Sequence, residues 1–519
     1  MPEASATGWW GSPGKIQARY SGHAQWRGLT DALTKGRPTS KKQRHGPPDD
    51  QRRVPAPTMR PLTHARVAVA LLLLGALALT VAAYLPALPG PLIFDDGPNL
   101  APLLAASRDN VYSLAHFVLS GTAGPTGRPI ALASFALDYR LFGPDPLNFR
   151  ATNLVLHVLT GLLIFLLFAR LTTALRKNGR GRWDLLPAAI TASVWLLHPL
   201  NVSTTLYVVQ RMTQLGALFT LCGLLAYTHG RMMWPQDPSR GRRWAIGGLA
   251  LFTVLATLSK ETGALLPLYA AVVELTIFRR THPVPPGRNQ RLLNFSLIAP
   301  LAVLVGLMGL QALSFSNAAR AFSIGDRLLT EARVLIEYLG QIFLPRTSQL
   351  GLFHDDYTVS VGMLSPWTTL PSLTAVVALL TLSVRWRAKE PALALAITWF
   401  FAGHVLEATV IPLELYFEHR NYLPMVGPLF ALAYYACEQK KPLGFARAAG
   451  GALVMLTIMV IGFATARAWQ NPSELASLWA FHKPGSVRAT SLDYTVHQLP
   501  ERLFGGITTN DKIYLRIFD

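Results

Sequence analysis

MRPLTHARVAVALLLLGALALTVAAY (residues 59–84) runs from two arginines into residues 67–84, none of which carries a charge. A helix needs about 20 predominantly apolar residues to cross a bilayer core of roughly 30 Å. The stretch therefore reads as a transmembrane span with its basic flank at the inner surface. It is too long for the apolar part of a removable signal peptide, and no small-residue cleavage site follows it. A methionine, two arginines and a span also read as a natural beginning, which makes residues 1–58 an expected extension of the gene.

Runs of the same kind recur downstream. They place spans at roughly 67–88, 151–169, 185–201, 205–228, 243–259, 262–278, 293–314, 368–385, 391–411, 424–437 and 447–466. The expected fold is an all-α polytopic membrane protein with about eleven transmembrane helices. Composition agrees, since the 519 residues are 51% hydrophobic and 15% charged, with a mean hydropathy of +0.30. A soluble domain carries about 25% charged residues.

The net charge of +20 would suggest nucleic acid in a soluble protein. Here the basic residues sit in short loops instead. Arg170, Arg176, Lys177, Arg180 and Arg182 share one loop, and Arg231, Arg240, Arg242 and Arg243 the next but one. Arg279, Arg280, Arg288 and Arg291, then Arg385, Arg387 and Lys389, then Lys440, Lys441 and Arg447 continue the alternation. All fall on the side of the basic N-terminus, and the intervening loops are poor in Lys and Arg. That bias predicts an inside N-terminus and an outside C-terminus, with no nucleic-acid partner. Cys222 and Cys437 both lie in apolar runs and build no disulfide framework or CxxC site.

Residues 1–66 hold twelve Lys/Arg against four Asp/Glu, lack helical periodicity and read as a disordered cytoplasmic tail. Two outer segments are long, 89–150 and 315–367, and long loops on a rigid scaffold are where function tends to sit. The second contains EARVLIEYLGQIFLP (331–345), amphipathic and too polar to span, expected as an interfacial or re-entrant helix. Residues 467–519 leave the membrane as an outer soluble tail. WQNPSELASLWAFHKPGSVRA (469–489) resembles a lead-in to helical repeats, but LDYTVHQLPERLFGGITTNDKIYLRIFD shows no helical period, which reads either as absent repeats or as a truncated chain.

The chemistry-bearing residues cluster at outer span ends. Asp95 and Asp96 stand just outside the first span. Adjacent carboxylates repel and lose solvation, which raises a pKa and suits a general base. Asp-Gly-Pro-Asn is equally the chemistry of a turn or a helix cap. Arg128, Arg140 and Arg150 are outer arginines that could grip a phosphate or snorkel to headgroups. His198 precedes a stripe of Tyr207, Gln210, Arg211 and Gln214 at helical spacing, expected to share one helix face turned to the bundle or a wet cavity. Lys260 and Glu261 form an outer turn, either as a local ion pair or as a phosphate-neutralising lysine. Glu407, Glu414, Glu418, His419, Arg420 and Tyr422 make the densest set, costly to bury without a ligand or mutual pairing. His354, Asp355 and Asp356 could cap a helix, touch an acceptor or ligate a metal, a weak signal for the last.

Taken in order, FDDGPNL (94–100), GRPIALASFALDYRLFGPDPLNFRATNLVLHVLTGLL (127–163), LHPLNVSTTLYVVQRMTQLGALF (197–219), LSKETGALLPL (258–268) and ELYFEHRNYLP (414–424) form a pattern. It resembles bacterial relatives of the transmembrane and tetratricopeptide-repeat O-mannosyltransferases, within the GT-C glycosyltransferases, over about residues 67–490. The resemblance implies a GT-C-like fold and a polyprenyl-phosphate-linked sugar donor. It also implies transfer to a protein or envelope-glycan hydroxyl on the outer face of a bacterial inner membrane. It makes Asp95 and Asp96 catalytic and matches the family's Glu-Arg-Tyr-Pro element to Glu418, Arg420, Tyr422 and Pro424. The chain departs from the family where its repeats are expected. Donor or phosphate contacts are expected among Arg128, Arg150, His198, Tyr207, Gln210, Arg211, Lys260, Glu261, Glu414, Glu418, His419, Arg420 and Tyr422. A divalent cation between Asp95/Asp96 and Asp355/Asp356 is compatible with the spacing but not required by it. A lipid-linked oligosaccharide ligase or polymerase, and a transporter or flippase, are the alternative readings. A transporter would place its ionisable residues nearer the midplane.

Overall fold

The computed structural model describes residues 64–176, 184–313, 322–437 and 445–498. The expected basic tail lies almost wholly outside the described residues, as do Lys177, Arg180, Arg182, Lys440, Lys441 and the segment 499–519. Among the described residues there is no strand, only one isolated backbone bridge between Gly362 and Ser365.

Seven helices are long and apolar enough to cross a membrane: His64–Ala87, Pro146–Leu175, Val208–Met233, Glu261–Thr281, Arg288–Leu313, Thr369–Trp386 and Ala449–Ala468. The other expected spans take shorter forms. Leu186–Leu197, Pro391–His404 and Val426–Cys437 are brief apolar helices. Residues 243–259 combine a π-helical turn, Arg243–Gly247, with Gly248–Thr257. At about 1.5 Å per residue such helices fall short of the hydrocarbon thickness. The side chains of Leu186–Leu197, Pro391–His404 and Val426–Cys437 are mostly buried in the bundle, where neighbouring protein covers them.

One break has a visible cause. Pro199 has no N–H for the carbonyl of Trp195, and the Asn201 side-chain amide takes that carbonyl instead at 2.7 Å. The chain resumes as Leu200–Leu206 and breaks again through an extended Tyr207 and a 3-10 turn at Val208–Gln210. This corrects the expected stripe: Tyr207 and Gln210 precede the α-helix that starts at Arg211, so the four polar residues do not share one helix face. The break frees the Val209 N–H for a partner outside the helix.

Val208–Met233 is the central helix, 78% buried over its most apolar window, against 11% for Thr369–Trp386. In lipid such packing rests on close fit and buried polar contacts, because tails are as apolar as leucine. Buried indoles anchor the neighbouring loop: Trp195 donates to the Tyr422 carbonyl at 2.7 Å and Trp399 to that of Leu423 at 3.0 Å. Three of the basic loops meet one another. Arg231 pairs with Glu274 at 2.8 Å and donates to the His282 carbonyl, Arg242 reaches Asn289, and Arg280 reaches the Arg387 carbonyl.

The other loops build a separate layer. Segment 89–150 folds as Asp96–Leu104, Val111–Leu119 and Pro129–Phe142 before the second long helix. Ile324–Phe343 begins at a capping box between Ser323 and Asp326, which carries the expected interfacial helix further toward its N-terminus. Pro472–His482 and Val487–Gln498 pack together, tied by a 2.9 Å bond from Ser477 to Asp493. Part of the tail is therefore a helix pair: the first helix falls in the expected lead-in to helical repeats, and the second runs into the stretch from Leu492 that shows no helical period. Its second helix is held by tertiary contacts, with Ala489 and Leu492 in a cluster that includes Phe94, Phe353, Trp469 and Trp479.

Candidate functional site

The acidic turn is built from both ends. Phe94 adopts a left-handed backbone (φ 49°), and only one other described non-glycine residue, Arg128, has positive φ (φ 50°). Such strain, about 1–3 kcal/mol per residue, persists only where the surroundings enforce it. Here they do. The Asp95 N–H donates to the Tyr207 hydroxyl at 2.8 Å. The Asp96 carboxylate accepts from Val209 N–H at 2.7 Å and Ile93 N–H at 3.2 Å. Thus the helix break at 207–210 supplies both anchors.

The two carboxylates consequently differ. Asp96 is fully buried, and burial pushes it up to about 7 despite its two N–H donors and nearby Arg150. Asp95 is exposed at the rim. Partial loss of solvation raises it, opposed by the Tyr207 contact and by Arg488 and Arg128, with Glu414 adding to the rise.

A cationic wall faces this turn. Arg128 binds Glu261 in bidentate fashion at 3.0 and 2.8 Å, and Thr126 donates to the same carboxylate at 2.9 Å. Gly263 permits the Lys260–Glu261 turn, because a Cβ there would lie 2.2 Å from the Ala256 backbone. Lys260 is buried. Its ammonium meets Glu407 at 3.1 Å and donates to Thr213 at 3.0 Å, and Thr213 in turn donates to Gln210 at 2.7 Å. Lys260, Glu407, His419, Arg420 and Tyr422 line one narrow cleft of about 30 Å³, room for a water. Burial, then Lys260, hold His419 well below its usual value. Arg128 acts electrostatically on Asp95 at one side and on Lys260 and His419 at the other, which makes the acidic rim and the cleft one electrostatic unit.

Other sequence candidates are placed elsewhere. Arg150 is buried with its guanidinium on the carbonyls of Leu206, Ala87, Leu88 and Pro91. Arg211 is buried against Asp138 at 2.7 Å, Asn153, and the carbonyls of Ser134 and Phe149. Arg150 clamps the chain leading into the acidic turn and Arg211 ties Pro129–Phe142 to Pro146–Leu175, both fully buried. His198 lies 3.0 Å from the Ile342 carbonyl, away from the cleft. Glu414 pairs with Arg488 at 3.2 Å. His354 stacks on Tyr416, Asp355 accepts from Ser486 and from the Arg488 N–H, and Asp356 is exposed. Among the described residues no group of three or more His, Cys, Asp or Glu could hold a metal, so Asp95/Asp96 and Asp355/Asp356 do not converge.

Glu418 points away from its neighbours, into a separate pocket of about 260 Å³ walled by Trp469, Leu475 and Trp479. Burial pushes it up to about 8, although Ser203 donates to it at 2.7 Å and the Gly351 N–H at 2.6 Å. The folded protein thus holds a proton that the unfolded chain releases near pH 4.5, so stability falls as pH rises from about 4.5 to 8. Glu418→Gln keeps both partners, its carbonyl on Gly351 and its amide on Ser203. We expect detergent melting of the variant to decline less steeply over that window than wild type. An unchanged pH slope would show that Glu418 is ionised in the fold.

Sequence reasoning missed four participants. Arg327 and Glu331, four apart on the buried face of Ile324–Phe343, pair at 2.9 Å, and Glu331 sits 3.8 Å from Arg420. Charges on the apolar stripe of an amphipathic helix were the available signal. Tyr338 both donates to the Phe417 carbonyl and accepts from its N–H, each at 2.9 Å, fixing the chain before Glu418. Arg488 belongs to the tail, and nothing in its local sequence marks it.

These features define a helical membrane protein with a charged cleft and an exposed carboxylate. No family model matches the chain. Over part of its length it is similar to proteins named protein O-mannosyl-transferases. It is 22% identical over 252 residues to F38B6.6 of Caenorhabditis elegans, covering 47% of this chain and 32% of that protein. It is 26% identical over 192 residues to human TMTC3, covering 37% and 19%. It is 30% identical over 149 residues to human TMTC4, covering 28% and 20%. The chain therefore spans between 19% and 32% of these relatives' lengths.

Proposed function

We propose that the protein is a membrane glycosyltransferase of GT-C type, moving a hexose from a polyprenyl-phosphate carrier to an acceptor hydroxyl on the outer face. The acceptor class is protein, as the names of the relatives suggest, or an envelope glycan. The observation that carries the reading is an exposed Asp95 and a cleft lined by Lys260, His419 and Arg420, with the charge of Arg128 acting on both. The partial similarity to O-mannosyl-transferases supports it. The positive-inside bias supports eleven spans, an inner N-terminus and these loops outside, in a bacterial inner membrane.

In this mechanism Asp95 accepts the acceptor's hydroxyl proton as that oxygen attacks the anomeric carbon. The bond from that carbon to the phosphate oxygen breaks, and the polyprenyl phosphate departs with the electron pair. One displacement inverts the anomeric centre. A phosphate leaving group is already a weak base, so it needs positive charge rather than a proton. Lys260, Arg420 and Arg128 supply that charge in a partly dehydrated cleft, where it acts more strongly than in water. Neutral His419 offers a hydrogen bond. Asp96, Tyr207, Arg150 and Arg211 hold the turn.

The test is transfer from radiolabelled polyprenyl-phosphate monosaccharides by the reconstituted protein. We expect label to reach an acceptor hydroxyl with wild type and not with Asp95→Asn. Activity with whole lipid-linked glycans, but with no monosaccharide carrier, would establish the ligase instead.

A further inference from the structure

We propose that Arg488, on the first turn of Val487–Gln498, is a positioning residue of the transfer site that acts through its charge on Asp95. Three contacts place it there. Its guanidinium lies 3.2 Å from Glu414 and 5.6 Å from the centre of the Phe94 ring, on the residue that delivers Asp95. Its backbone N–H is held by Asp355 at 3.4 Å, and the other Asp355 oxygen takes the Ser486 hydroxyl. The helix start is thereby fixed to the second long outer loop. Its side chain therefore joins the loop before Glu418 to the strained turn at Phe94. The tail beyond the last span contributes directly to the site, not only to its surroundings.

The proposal rests on Asp95 being the base. The groups whose charge or hydrogen bonding acts on its carboxylate are Tyr207, Arg488, Glu414 and Arg128, with Asp96 next in the chain. Arg128 is occupied by Glu261 in bidentate geometry, whereas Arg488 has the single 3.2 Å contact to Glu414. Arg488 therefore favours the ionised form of Asp95 and Glu414 disfavours it. A base works ionised, so transfer rises as pH climbs through the Asp95 pKa. Loss of Arg488 moves that acid limb up, and loss of Glu414 moves it down.

The experiment is the pH profile of kcat/KM for wild type, Arg488→Gln, Arg488→Lys and Glu414→Gln, with detergent melting of each. We expect the acid limb to rise by about one pH unit in Arg488→Gln, since the pair is partly solvated. It should return most of the way in Arg488→Lys and fall in Glu414→Gln. A limb that stays put in Arg488→Gln, with only a lowered melting temperature, would overturn the proposal and leave a structural clasp. Asp95→Asn separates this from the underlying reading. Full activity there removes the base itself, whereas an inactive Asp95→Asn beside an unmoved Arg488→Gln limb removes only the role of Arg488.

Discussion

Asp95→Asn is expected to lower transfer by about 10²–10⁴-fold, the usual contribution of a positioned general base, with little change in melting temperature. The amide matches the carboxylate in shape, and the contact that fixes the backbone, Asp95 N–H to Tyr207, does not involve the side chain. The residue is exposed, and the buried Tyr207 hydroxyl beside the carboxylate can still donate to the amide oxygen of Asn. Asp96→Asn should behave in the opposite way. Asp96 is fully buried with both oxygens accepting backbone N–H groups, and an amide can accept only one of them. A buried donor left unmade costs about 1–3 kcal/mol. The second variant should therefore melt earlier and lose transfer through a displaced turn, and the double variant should transfer no worse than Asp95→Asn alone. Kinetics and melting together decide. An active Asp95→Asn beside an inactive but stable Asp96→Asn would exchange the two roles.

That division of labour shows what the sequence could and could not reveal. Adjacent carboxylates after a span were visible as chemistry, but which one reaches solvent depends on Tyr207 and Val209, more than a hundred residues away. The apolar runs located the helices, because length and hydropathy are local properties. They did not show that 186–206 is broken, since Pro199 marks only the first break and the second exists to free the Val209 N–H. Arginine is a poor guide to its own role: Arg128, Arg150 and Arg211 are all expected among the donor or phosphate contacts. Only the structure shows Arg150 and Arg211 on buried carbonyls and Arg128 on Glu261 at the cleft. The Glu418-His419-Arg420 run was legible as a charge cluster, but not as a turn that sends Glu418 into one cavity and its two neighbours into another. Arg488 was out of reach, because its partners lie in loops folded over the tail.

Lys260 carries the other large effect. It is the buried cation of the cleft, paired with Glu407 at 3.1 Å and linked through Thr213 to Gln210. Burial lowers its pKa and Glu407 opposes that fall, so the pair is held together by mutual need rather than by solvent. Lys260→Met leaves the Glu407 carboxylate buried without its nearest cation. Breaking such a pair costs about 3–5 kcal/mol, and Arg420 and His419, which line the same cleft, should keep the loss near the lower figure. In the proposed mechanism Lys260 neutralises the departing phosphate, so its removal should also lower transfer by about 10²–10³-fold. The informative variant is Lys260→Met combined with Glu407→Gln. With both charges gone, the desolvation penalty goes too, and most of the lost stability should return. Transfer should stay as low as in Lys260→Met, because the phosphate has still lost its cation. If transfer recovered along with stability, Lys260 would be a strut for Glu407, and the positive charge would have to come from Arg420 and Arg128 alone.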